Sequence, residues 1–262
     1  MYKHLKTICL GLLMTSFINP KAKAFEYFPN PSIDASLVSA NNQTVNNPKP
    51  QTASPAVIVK KTDNGYVLEV DGKAFFINGM NWGYVPIGTN FNYSLWKQPD
   101  DLIKSALDAE MSLLKNMGIN TIRQYTGIPP KWIQYIYENY GIYTMLNHSF
   151  GRYGLTLKGN WNPNTDYANP LVQEILLKET AEMVKEYQNT PGLLLFLLGN
   201  ENNYGLFWRG AETEDIPMAD RQSTKDAAHL YRMFNRATTA MKGISTNHPI
   251  AICNGDLLFL DI

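Results

Sequence analysis

The stretch Leu193–Asn203, LLLFLLGNENN, decides the fold. Six consecutive apolar residues, Leu193 to Leu198, leave no polar side, the pattern of a strand buried on both faces of a parallel sheet. Both flanks agree with this. Upstream, Leu171 to Tyr187 has helical spacing and is closed by Asn189-Thr190-Pro191. Downstream, the spacing predicts a helix over Asp226 to Lys242 and a strand over Pro249 to Cys253.

The same alternation extends towards the N-terminus. Asp100 to Met117 predicts an amphipathic helix whose buried stripe is Leu102, Ile103, Ala106, Leu107, Leu113, Leu114 and Met117, with Gly118 at its C′ position. Ile119–Arg123 and Ile142–Leu146 read as strands, and Pro129-Pro130 opens a helix reaching about Asn139. With Phe75–Gly79 as a first strand, about five β/α units are present. Such repetition means α/β architecture with right-handed crossovers, in either an open doubly wound sheet or a barrel. Ahead of it, Val57–Lys61, Tyr66–Val70 and Ala74–Ile77 form a small β-meander (57–77). Asp63-Asn64-Gly65 and Asp71-Gly72 are expected to turn it through residues of positive φ.

Residues 1–24 read as a secretory signal peptide: Lys3 and Lys6 precede the apolar run Ile8–Ile18, and Ala22-Lys23-Ala24 offers a small-x-small cleavage site. Residues 25–56, rich in Asn, Pro, Ser, Thr and Gln, read as a disordered linker. The expected location is therefore secreted or periplasmic, with no membrane attachment once the signal is removed. Lys and Arg total 23 and Asp and Glu total 23, a balance that excludes a phosphate-neutralising nucleic-acid binder. Of the two cysteines, Cys9 lies within the signal, so Cys253 has no disulfide partner in the exported chain.

Polar residues follow each strand: Asn78, Asn81 and Trp82; Arg123, Gln124 and Tyr125; Asn147 and His148; Asn200, Glu201 and Asn202; Asn254 and Asp256. In parallel α/β folds this edge gathers the βα loops and the ligand. Glu201, shortly after six apolar residues, is expected at the rim of a dry core, where desolvation would raise its pKa towards that of a general acid. Tyr204, Phe207 and Trp208, with Trp82, Tyr84, Tyr153 and Trp161 on other loops, offer aromatic faces on which the C–H faces of sugar rings can stack. The sequence has no Walker-type phosphate loop and no G-x-S-x-G elbow. The histidines His4, His148, His229 and His248 lack zinc-ligand spacing, so no metal site is expected.

LLGNENNYG (197–205) resembles the acid/base strand of the retaining (β/α)8-barrel glycoside hydrolases, and is most similar to family 2, which includes β-galactosidases and β-glucuronidases. FFINGMNWG (75–83), GINTIRQYTG (118–127) and GIYTMLNHSFG (141–151) resemble the first three strand ends in order. The resemblance covers residues 57–262 and implies a TIM-type (β/α)8 barrel that hydrolyses O-glycosidic bonds of β-linked carbohydrates by acid/base chemistry, for which no cofactor is expected. It implies Glu201 as proton donor, Asn200 as the partner of the sugar 2-hydroxyl, Arg123 as the orienter of a nucleophilic carboxylate and His148 as a pocket residue. That nucleophile belongs to the seventh strand, whereas this chain stops after the fifth. A full barrel takes about 250 residues, so the expectation is an incomplete barrel, C-terminally truncated and inactive as a fragment, with the nucleophile beyond Ile262. The expected partner is an oligosaccharide or polysaccharide. A glucan transglycosylase on the same scaffold and a non-catalytic carbohydrate-binding protein remain alternatives, and the oligomeric state is not legible.

Overall fold

The computed structural model describes residues 56–90, 92–204, 206 and 216–255. The expected signal (1–24), the linker up to Pro55, Phe207, Trp208 and the tail after Gly255, with Asp256, lie outside the described residues.

Three short strands come first, β1 (Val57–Thr62), β2 (Gly65–Val70) and β3 (Lys73–Ala74), paired antiparallel in chain order as the expected meander. Asp71 and Gly72 both have positive φ, 50° and 74°, as a tight Asp-Gly turn requires. In the first turn only Gly65 does, because it already pairs with Thr62 as the opening residue of β2.

The rest alternates: β4 (Gly79–Asn81), α1 (Asp100–Asn116), β5 (Thr121–Tyr125), α2 (Pro130–Tyr140), β6 (Tyr143–His148), a hairpin of β7 (Leu155–Leu157) and β8 (Asn160–Asn162), α3 (Pro170–Tyr187), β9 (Leu193–Leu198), α4 (Gln222–Ile244) and β10 (Ile250–Ile252). Helix ends follow local chemistry. Pro130 starts α2 and Gly141, at φ 69°, stops it, while the Asn169 side chain accepts from the Leu171 N–H to cap α3. The hairpin was not anticipated. Its turn, Lys158-Gly159, has positive φ at both residues, but Lys-Gly is a weaker turn signal than Asn-Gly.

Five strands form one parallel sheet in the order β4-β5-β6-β9-β10. That order is the chain order, so right-handed crossovers put all four helices on one face. A doubly wound sheet would reverse direction partway, and this one does not. Of the expected (β/α)8 barrel, the described residues form five parallel strands in an open sheet with β4 and β10 at its edges, and no closed barrel is formed among them.

The apolar run of β9 is buried at all six positions. Leu193, Phe196 and Leu198 join Ile122 and Leu146 against the helices, where Leu107, Ile133, Leu176 and Leu230 meet them. Leu194, Leu195 and Leu197 face the other way, towards Met145 and towards Val57 and Val70 of the meander. Full burial of each such side chain is worth about 1.5–3 kcal/mol. The Val57 N–H donates to the Asn247 carbonyl at 3.1 Å, which pins the meander beside β10.

The buried stripe of α1 differs from the expected one. Ile103, Ala106, Leu107, Met111 and Leu114 are buried, whereas Leu102, Leu113 and Met117 are exposed. Helical geometry puts positions i, i+4, i+8 and i+11 from Ile103 on one side, and Met111 belongs to that series.

Candidate active site

Side chains alternate along a strand, so each strand tip sends neighbouring residues to opposite faces. Register then tells which residues gather. Asn81 lies beside Arg123, and Tyr125 beside Asn147, which lies beside Leu197. All of these share the face turned away from the helices.

On that face Arg123 organises the polar group. Its Nε donates to Asn147 Oδ1 at 2.6 Å and its Nη2 to Asn200 Oδ1 at 2.8 Å. The guanidinium also lies over the Tyr125 ring, 5.4 Å from its centroid. Asn147, fully buried, donates from Nδ2 to the Gly199 carbonyl at 2.9 Å. Asn200 Nδ2 donates to the Tyr153 hydroxyl at 3.0 Å, which is 3.3 Å from the Tyr125 hydroxyl. Burial first, and then the Tyr153 hydroxyl, push Tyr125 up to about 12 against the pull of Arg123, so its hydroxyl stays neutral. Among the described residues every hydrogen-bond partner of Arg123 is neutral, which leaves its charge available to an anion.

Glu201 stands next to this group at the rim. Its backbone is left-handed, φ 58°, a conformation that costs a residue with a Cβ about 1–2 kcal/mol. Two bonds hold it there. The Glu201 N–H donates to the Cys253 carbonyl at 2.7 Å, and the Glu201 carbonyl accepts from the Tyr204 N–H at 2.9 Å. Its side chain lies against Gly255, and among the described residues it forms no ion pair. Glu201 is exposed, so the dry surroundings expected of it are absent. Six apolar residues bury the strand itself, but the chain turns outward at Gly199, φ 78°, before the carboxylate is reached.

Arg123, Asn200 and Glu201 are therefore brought together, with Asn81 on the same face and Tyr204, two-fifths exposed, in the turn after Glu201. Trp161 is exposed on β8, in the arm that follows β6. Trp82 and His148 do not join. Trp82 is buried on the helix side, with Nε1 donating to Glu110 Oε2 at 3.4 Å and its ring 6.1 Å from that of Trp96. His148 also faces the helices. Its Nδ1 accepts from the Phe150 N–H, so the proton sits on Nε2, 3.3 Å from Glu179 Oε2 of α3. In both pairs the strand's alternation chose the neighbour, Asn81 and Asn147.

No protein-family model matches the chain, and no curated protein matches it. Solved structures do. The Parabacteroides merdae β-glucuronidase with glycerol in its active site superposes with a TM-score of 0.50 at 18% identity, over 75% of this chain and 20% of that one. Bacteroides uniformis β-glucuronidase 2, covalently bound to cyclophellitol-6-carboxylate aziridine, gives 0.50 at 14% identity over the same shares. A further Bacteroides uniformis β-glucuronidase gives 0.50 at 13% identity, over 71% of this chain and 19% of that one.

The fold is that of part of these β-glucuronidases. The resemblance read from the strand ends thus holds at the level of fold, and the chain spans about a fifth of the length of these β-glucuronidases.

Tyr125 and Asn147 are site residues that the sequence reading placed at strand ends without a binding role, and Tyr153 is one that it placed only among the loop aromatics. Alternation from Leu146, a core residue, would have assigned Asn147 to the inner face in place of His148. Tyr153 sits past the strand end, between Gly151 and Gly154, and carries no periodic signal.

Proposed function

We propose that the chain carries the acid/base portion of a retaining glycoside hydrolase acting on β-linked sugars. The observation that carries this reading is the Asn200–Glu201 pair at the tip of β9, with Asn200 bound to Arg123 at the tip of β5. Glu201 donates a proton to the departing glycosidic oxygen and then takes one from the attacking water. A bound substrate excludes water from the exposed carboxylate at the moment of transfer. Asn200, with both ends of its amide engaged by Arg123 and Tyr153, is held to one orientation for a sugar hydroxyl. The uncompensated Arg123 charge suits a second carboxylate, the nucleophile, which retaining chemistry needs about 5–5.5 Å from the acid. In this proposal that carboxylate is supplied from outside the described residues. The reading of residues 1–24 as a secretory signal supports action outside the cytoplasm, on oligosaccharides or polysaccharides.

The test is kinetic, on the full product of the gene. Glu201→Gln should lower kcat most for β-glycosides with poor leaving groups, since these depend on protonation, and least for nitrophenyl glycosides. Equal losses across leaving groups would remove the acid role from Glu201.

A further inference from the structure

A groove of about 460 Å³ lies beside the Arg123 group, between the β4–α1 connection and the tip of β5. Its volume is in the range of small-molecule sites. Tyr84, Tyr93, Trp96 and Tyr125 form its aromatic walls, and the Tyr84 and Tyr93 rings are 6.3 Å apart at 52°. Tyr125 belongs to both places: its ring lines the groove, while its hydroxyl lies 3.5 Å from Arg123 Nη2. The groove and the candidate active site therefore share Tyr125.

The chemistry of the walls selects the occupant. Among the described residues that line the groove none is charged, so it has no counter-charge for a uronate or a phosphate. Asn92, Ser94 and Gln124 add neutral hydrogen-bonding groups around the rings. The Gln124 side-chain oxygen is buried and has no hydrogen-bond partner among the described residues. Flat apolar rings interleaved with neutral amides and hydroxyls match a pyranose, which has C–H faces and hydroxyl edges.

We infer that this groove binds a second, neutral glycosyl unit of the substrate, next to the one held at Asn200 and Glu201. The inference rests on the glycoside hydrolase reading and narrows it to oligosaccharides of uncharged sugars. Occupancy adds contact along the chain, so affinity rises with oligosaccharide length.

Binding to the full gene product is measured by calorimetry and Trp fluorescence, with disaccharides and pentasaccharides of the cello-, laminari- and xylo- series and with trigalacturonate. In at least one neutral series the pentasaccharide should bind about tenfold more tightly than the disaccharide, and Tyr84→Ala should abolish that gain. Asn92→Arg, at an exposed position that keeps the core intact, should weaken the neutral pentasaccharide and strengthen trigalacturonate, with the melting temperature unchanged. It decides the matter if Tyr84→Ala fails to fold. Sugar binding that ignores both length and these variants overturns the groove proposal and leaves the Glu201 reading intact. Trigalacturonate binding as tightly as neutral sugars to the unaltered protein overturns its neutral preference. Failure of the folded protein to bind any sugar overturns the reading beneath it.

Discussion

Arg123 and Asn200, 77 residues apart in the chain, are joined by a 2.8 Å hydrogen bond between the tips of two strands that are not neighbours in the sheet. Between them lies β6, whose Asn147 takes the other arm of the guanidinium. The rigid fork of arginine spans both amides, and a lysine at position 123 reaches only one at a time. Arg123→Lys should therefore preserve the fold and lower kcat, with a Tm close to that of the unaltered protein. An unchanged kcat would show that the Asn200 amide needs no such anchor.

Asn147→Leu keeps the side chain's bulk and removes both of its hydrogen-bonding ends. Arg123 Nε and the Gly199 carbonyl then lose a buried partner. Each such loss costs about 1–3 kcal/mol. Urea denaturation should report a destabilisation of that order, and a variant as stable as the parent would mean that water replaces the amide.

Gly255 is where the geometry around Glu201 is tightest. A Cβ built there falls 2.6 Å from both Cβ and Cγ of Glu201, so Gly255→Ala must push the carboxylate aside. The expected result is a fall in kcat with KM for a nitrophenyl glycoside little changed. A fall confined to KM would place the displacement elsewhere.

The left-handed backbone at Glu201 predicts a trade between stability and activity. Glu201→Asn suits that conformation better and, among the described residues, forfeits no ion pair. Thermal unfolding should show a gain of up to about 1 kcal/mol, together with loss of proton donation. A lower melting temperature would mean that the Glu201 side chain makes a contribution of its own to folding.

His248 gives the pH dependence. Burial lowers its pKa below 6.5, and its contacts with the Leu194 and Gln188 carbonyls only partly oppose this. The unfolded chain therefore binds a proton that the folded chain refuses, and stability falls as pH drops below about 6.5. His248→Gln should flatten that slope between its unfolded and folded pKa. Identical slopes in denaturation series from pH 8 to pH 5 would exclude the effect.

Much of the fold was legible because β9 and its flanking helices bury what their patterns say they bury. The winding was not, since strand order depends on which strands pair, and periodicity is silent on pairing. In α1, Leu102 and Leu113 look like core residues by type, and only the phase set by Met111 and Leu114 exposes them. At the site, residue type marked strand ends whose polar side chains gather, and it carries no sign of the parity that separates Asn147 from His148. The exposure of Glu201 came from the reversal at Gly199, a backbone event with no hydrophobic signature.

The strands of the sheet stand side by side in the order of translation, so each connection leaves and re-enters next to its own strand. Residues 82–99, between β4 and α1, and 149–169, between β6 and α3, are two uninterrupted inserts of this kind. Exchange of one contiguous coding segment can replace the Tyr84–Trp96 arm or the Tyr153–Trp161 arm without rethreading any neighbour. In the proposed glycoside hydrolase, these two arms can thus diverge while Arg123, Asn200 and Glu201 at the strand ends stay as they are.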